Sequence, residues 1–223
     1  MQNEPDEALI DATMANDLDG IRNAIQLGLD INHQNFFGKT ALHYAESIEA
    51  ARLLIEHGAD PNLVDYNNRP PLFDVNDPGL AVFLIDHGAN AKFQDKDGLT
   101  ALYIWVDFPE VVQRLLDEGA DPNVQLVTGS MIIKRGNTAL HKVGNLESAR
   151  LLVEHGANAT IRNVEKATPV HTTSGEIQRY LKSVYDQQNQ AETDSQTNSG
   201  EPSLPGTADT RLAGDTTVYH KTT

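Results

Sequence analysis

Apolar residues along this chain recur at two spacings. At short range they follow the helical period. AARLLIEHG (50–58), AVFLIDHG (81–88), VVQRLLDEG (111–119) and SARLLVEHG (148–156) each set apolar side chains on one stripe and close on glycine. At long range the pattern repeats itself. TALH (40–43), PPLF (70–73), TALY (100–103), TALH (138–141) and TPVH (168–171) follow one another at 30, 30, 38 and 30 residues. GLDIN, GADPN, GANAK, GADPN and GANAT begin at Gly28, Gly58, Gly88, Gly119 and Gly156, at 30, 30, 31 and 37 residues. Two series that keep step along most of the chain predict a stack of similar units.

Each unit reads as two helices and a loop. Thr40, Thr100, Thr138 and Thr168 stand where a hydroxyl caps a short first helix, and Pro71 and Pro169 suit its first position, where a missing N–H costs nothing. Ser47, Asp77, Asp107, Asn145 and Ser174 are expected to cap the second helix. Its closing glycine can take positive φ. A polar loop then runs through Asn35, Asp65, Asp95 or Asn163 to the next unit. The predicted fold class is all-α.

These units resemble the ankyrin repeat. The residues that carry the resemblance are G-x-T-A-L-H (Gly38 to His43, Gly136 to His141) and L-L-x-x-x-G-A-D/N (Leu53 to Asp60, Leu151 to Asn158). The usual period is about 33 residues. Units of 30 place the deficit between the two helices, so the first helix should be short. Such compact units resemble those of bacterial ankyrin proteins. The expected domain spans 1–186: an N-terminal cap (8–34), repeats at 35–64, 65–94, 95–132 and 133–162, and a C-terminal cap (163–186). Unit two is degenerate, with Asn68 in place of glycine and Pro70 in place of threonine. Seven extra residues in a loop insertion at 124–135 (VQLVTGSMIIKR) read as an extended β-hairpin. Residues 187–223 are polar, with few apolar positions, and are expected to be a disordered tail.

Charge narrows the partner. The 223 residues carry 32 Asp and Glu against 17 Lys and Arg, a net −15, and no cysteine. Five acids and two bases give the tail −3, leaving −12 on the expected domain. Acidity disfavours nucleic acid and anionic membranes as partners. Zero cysteine excludes disulfides and thiolate metal sites. The opening MQNEPDEALIDA has neither the basic nor the apolar region of a secretory signal, and no apolar run approaches a membrane span. A cytoplasmic location is expected.

The eight histidines do not suggest a metal. His43, His141 and His171 end the T-x-L-H turn, where the resemblance implies packing and a hydrogen bond to the inter-repeat loop. His57, His87 and His155 precede the helix-ending glycine, where a cation suits the helix dipole. No nucleophile motif or phosphate-binding loop stands out, so no enzymatic activity, cofactor or metal is expected.

The resemblance implies that loop tips and first helices form a concave protein-binding face. Matching positions are Phe36, Phe37 and Lys39; Tyr66, Asn67 and Arg69; Lys96, Asp97 and Leu99; and Lys134, Arg135 and Asn137. Leu126, Met131 and Ile132 at the tip of the insertion would be costly as exposed surface unless a partner or the neighbouring repeat covers them. Trp105, where other units carry Ala45, Val75 or Val143, reads as core. The expected function is a non-catalytic module, monomeric when free. It would bind a protein with a basic surface, as an inhibitor or sequestering protein. An immunity protein that neutralises a toxic enzyme, and a secreted bacterial effector or adaptor, are the alternatives.

Overall fold

The computed structural model describes residues 7–127 and 135–197, with side chains through residue 191 in the last helix. Helices α1 (Glu7–Met14) and α2 (Leu18–Gln26) form the first pair. Asn16 turns between them with φ of 49°, and the Asp17 carboxylate accepts the Gly20 N–H at 3.0 Å to start α2. Four pairs follow. Single 3₁₀ turns at Ala41–Tyr44 and Pro71–Phe73 precede α3 (Ile48–Glu56) and α4 (Pro78–Asp86). One-turn helices α5 (Ala101–Ile104) and α7 (Ala139–Lys142) precede α6 (Pro109–Asp117) and α8 (Leu146–Glu154). A last pair, α9 (Pro169–Thr172) and α10 (Gly175–Thr197), closes the stack. The shortened period is thus absorbed in the first helix of each unit.

Capping follows the sequence in three units and departs in the fourth. Ser47, Asp77 and Asn145 accept backbone N–H groups from Ala50, Leu80 and Ser148 at 3.2, 2.7 and 3.2 Å. Asp107 does not cap α6. That unit carries one extra residue, so Phe108 takes the cap position ahead of Pro109 and makes no side-chain cap bond. The freed Asp107 carboxylate instead accepts the Gly144 N–H of the next unit at 2.6 Å.

The core repeats with the chain. Leu54, Leu84, Leu115 and Leu152, each four residues before the closing glycine, are fully buried; so are Leu42, Leu72, Leu102 and Leu140 of the first turns. Each such leucine contributes about 1.5–3 kcal/mol against exposure. Trp105 is buried as expected and donates its indole N–H to the Leu72 carbonyl at 3.1 Å, joining the second unit to the third.

Two expectations meet the structure at their edges. α10 continues beyond residue 186 to Thr197, and Gln188 on it bonds back to Ala157 and Ala159 at 3.0 and 2.8 Å. The described part of the insertion contains no strand; among the described residues the one β-bridge joins Gln94 and Thr100. Residues 128–134, with Met131, Ile132 and Lys134, lie outside the described residues, as do 198–223 of the expected tail.

Candidate interaction surface

The surface is built from the loops between units, each a short finger. An Asx side chain closes four of them. Oδ1 of Asn35 accepts the N–H groups of Phe37 and Lys39 at 2.9 and 3.1 Å; Asp65 does the same for Asn67 and Arg69, and Asp95 for Asp97 and Leu99. Asn163 repeats the motif at the last finger. The turn needs a residue at positive φ. Gly38, Gly98 and Gly136 supply it, while Asn68 and Lys166 adopt it at 62° and 63°. Leu126 occupies the Asx position in the inserted finger. Its N–H still donates to the Asn137 carbonyl (3.0 Å), and its carbonyl accepts the Gly136 N–H (2.8 Å). The described flanks of the insertion therefore keep the two-bond base of an ordinary finger.

Three of the four pairs of neighbouring fingers are tied by a backbone hydrogen bond. The N–H groups of Tyr66, Val127 and Val164 donate to the carbonyls of Phe37, Asp97 and Arg135 at 3.1, 2.9 and 3.1 Å. Below them His43 and His141 act as struts. Nδ1 accepts the N–H of Thr40 or Thr138 at 3.1 Å, so the proton sits on Nε2, which donates to the carbonyl of Arg69 or Ala167 in the next finger at 3.1 Å. Burial holds both imidazoles below their ordinary pKa. Asparagine clamps complete the joint. Asn32, Asn62 and Asn123 each donate to the carbonyl of the next unit's Gly58, Gly88 or Gly156. Each also accepts the N–H of Asp60, Asn90 or Asn158. Lys92 stands in this position in the GANAK unit.

This scaffold leaves a line of apolar groups in solvent. The residue after each Asx position is Phe36, Tyr66, Lys96, Val127 and Val164 in turn. Phe36, Tyr66, Val127 and Val164 are 86%, 75%, 56% and 60% exposed. Phe37 packs edge-on against Phe36, with ring centroids 5.6 Å apart, and is itself exposed. Beneath the first two fingers a groove runs along the first turns, lined by Met14, Tyr44, Glu46 and Asn76. Asp74 Oδ2 is buried there without a hydrogen-bond partner; the Lys39 ammonium, 2.8 Å away but off the hydrogen-bonding direction, balances its charge. Among the described residues no three His, Asp or Glu side chains converge as metal ligands. No described helix is long and apolar enough to cross a membrane.

A family model described as ankyrin repeats (3 copies) matches residues 9–75 and 73–163. This chain belongs to the ankyrin-repeat family. A crystal structure of an ankyrin repeat domain from Acinetobacter baumannii AYE has a similar fold, with a TM-score of 0.64 at 26% identity over 78% of this chain and 96% of that one. The E3 ubiquitin-protein ligase KEG of Arabidopsis thaliana is 42% identical over 65 residues, 28% of this chain and 4% of that protein. A fowlpox virus (strain NVSL) chain named as an ankyrin repeat protein, FPV222, is 30% identical over 115 residues, 38% of this chain and 15% of that one. The chain thus spans a small part of these two relatives. Ankyrin repeats are protein-interaction modules.

The structure sorts the candidate residues of this ankyrin chain. Phe36, Phe37, Tyr66, Asn67, Lys96 and Arg135 are exposed on the fingers. Lys39 is engaged with Asp74 and lies over the Tyr44 ring at 5.5 Å, and the Arg69 Nε is 3.8 Å from the buried Asp95 carboxylate. Asp97 and Leu99 are half-buried, Leu99 against the core. Two expectations are corrected. Leu126 is only 4% exposed because it fills the Asx position at the base of its finger, facing inward. Asn137 is buried and accepts from the Asn163 amide at 2.9 Å. Val127 and Val164 were not among the candidates. Counting one residue on from each Asx position identifies Val164 directly; Val127 needs Leu126 to be recognised as the Asx equivalent.

Proposed function

We propose that this ankyrin domain is a non-catalytic inhibitor or sequestering protein that grips a basic partner through its finger tips and the first-turn groove. The observation that carries the reading is the exposed row Phe36, Phe37, Tyr66, Val127 and Val164 on fingers largely joined by backbone hydrogen bonds. Aromatic anchors on a preformed scaffold bind with little ordering cost. The net charge of −15 favours a partner with a positive surface and an association rate that falls with salt. An immunity protein against a toxic basic enzyme fits the same chemistry, as does a bacterial effector or adaptor. The inserted loop, read as a longer hairpin arm, would add contacts beside Val127.

The test is affinity capture from the native host with the wild-type chain and the Phe36→Ala/Phe37→Ala/Tyr66→Ala variant, at low and high salt. A partner enriched by wild type, depleted by the variant and released by salt supports the reading. Equal recovery by both chains overturns it.

A further inference from the structure

Two units pass side-chain hydrogen bonds forward to the next finger, and the last described unit has donors at the same positions with no such acceptor among the described residues. His43 and His141 reach the next finger's carbonyl through Nε2–H. The side-chain amides of Gln34 and Gln125 do likewise, to Val64 and Arg162 at 2.9 and 3.2 Å, while also holding the carbonyl of Gly38 or Gly136 in their own finger. In the last unit His171 and Arg162 occupy these two positions. The Thr168 N–H donates to His171 Nδ1 at 3.3 Å, so His171 also carries its proton outward on Nε2, where it has no partner among the described residues. Arg162 donates through Nη1 to the Lys166 carbonyl at 3.3 Å, the equivalent of Gly38 and Gly136. No further finger follows among the described residues.

Arg162 and His171 line a cleft of about 390 Å³ together with Lys166, Lys182, Val170 and Tyr185. Asp186 pairs with Lys182, which lies 5.6 Å from the Tyr185 ring centre; the Lys166 ammonium has no partner among the described residues. In a chain of net −15 this is a cationic site on an acidic molecule.

We propose that this end of the finger row binds an extended acidic peptide segment of a partner protein, taken up as one further finger. The interior units show the geometry. Backbone carbonyls of the segment accept from His171 and Arg162 as those of Arg69, Val64 and Ala167 accept from their predecessors' side chains. Carboxylates of the segment meet Lys166 and Lys182. Repeated backbone acceptors favour a peptide over a small anion, and the cations select acidic side chains. The site calls for the opposite charge from the tip row, which it adjoins at the finger carrying Val164.

The test is an NMR titration of the full ¹⁵N-labelled chain with a decapeptide of alternating threonine and glutamate. A threonine–lysine decapeptide is the control. Shifts confined to residues 162–171 and the Lys182–Tyr185 turn are expected, with no response to the lysine peptide. Affinity should fall about tenfold in Arg162→Gln/Lys166→Gln, and severalfold in Lys182→Gln, which lies on a separate helix. Unchanged affinity in both variants, no binding, or shifts centred on the Glu46–Asn76 groove would overturn the proposal. So would changes in amides 198–223 on making Arg162→Gln/Lys166→Gln without peptide, which would mean that the chain fills its own cleft.

Discussion

The buried histidine struts carry a pH dependence with a definite sign. Burial lowers the folded-state pKa of His43 and His141, so both stay neutral in the fold while the unfolded chain protonates its histidines near pH 6.5. The stability they contribute is fully present above that pH and is lost as the pH falls through the folded-state values. Thermal melts of wild type between pH 8 and 5 should show a steeper loss than those of His43→Asn/His141→Asn; parallel curves would sink this account. Gly38 makes a second prediction at this scale. Its φ is 75°, and a Cβ there would lie 2.5 Å from the Tyr66 ring and 2.8 Å from the Tyr66 backbone nitrogen. Gly58 has φ of 93° and open space around it. Gly58→Ala should cost about 1–2 kcal/mol for conformation alone, and Gly38→Ala clearly more, measured by chemical denaturation. The role of His43 was legible in its sequence position. The Tyr66 contact was not, because it joins two fingers whose approach is set by the stack.

Single elements show where periodicity informs and where it misleads. The helices, their caps and the core leucines follow from the repeat, since each depends on neighbours a few residues away. Asp107 was misjudged because one extra residue moved the cap to Phe108, and Leu126 because its position in the turn shows only once the insertion is set aside. Without 128–134, the run Leu126, Val127, Arg135, Gly136 has the spacing of Asn35, Phe36, Phe37, Gly38. Deleting those seven residues should therefore keep the fold and raise stability by roughly 1 kcal/mol through a shorter closed loop. Partner binding should weaken at the same time, as read by denaturation and by capture. A clear loss of stability would show that the insertion packs as core. The missing clamp at Lys92 gives the converse case. Lys92→Asn restores the residue found at Asn32, Asn62 and Asn123. It should add about 1 kcal/mol through bonds to the Gly119 carbonyl and the Asp121 N–H, and an unchanged or lower denaturation midpoint would count against it.

For the whole molecule, the clamps, struts and finger bonds mean that each unit is held chiefly by the one before and the one after. Trp105, the single tryptophan, is buried between the second and third units and reports their joint directly. Its fluorescence and the far-UV circular dichroism should change together on unfolding if the stack melts as one, and separate if the unclamped joint at Lys92 opens first. The same joinery bears on descent. Each clamp is half in one unit and half in the next: Asn32 meets Gly58 and Asp60, and Asn62 meets Gly88 and Asn90. A copied stretch of 30 residues therefore arrives with a matching plug and socket. Such a gene can gain or lose whole units without new residues having to appear at the seams, whereas insertions of other lengths fall away from the clamps, in the finger at 128–134 and ahead of Pro109.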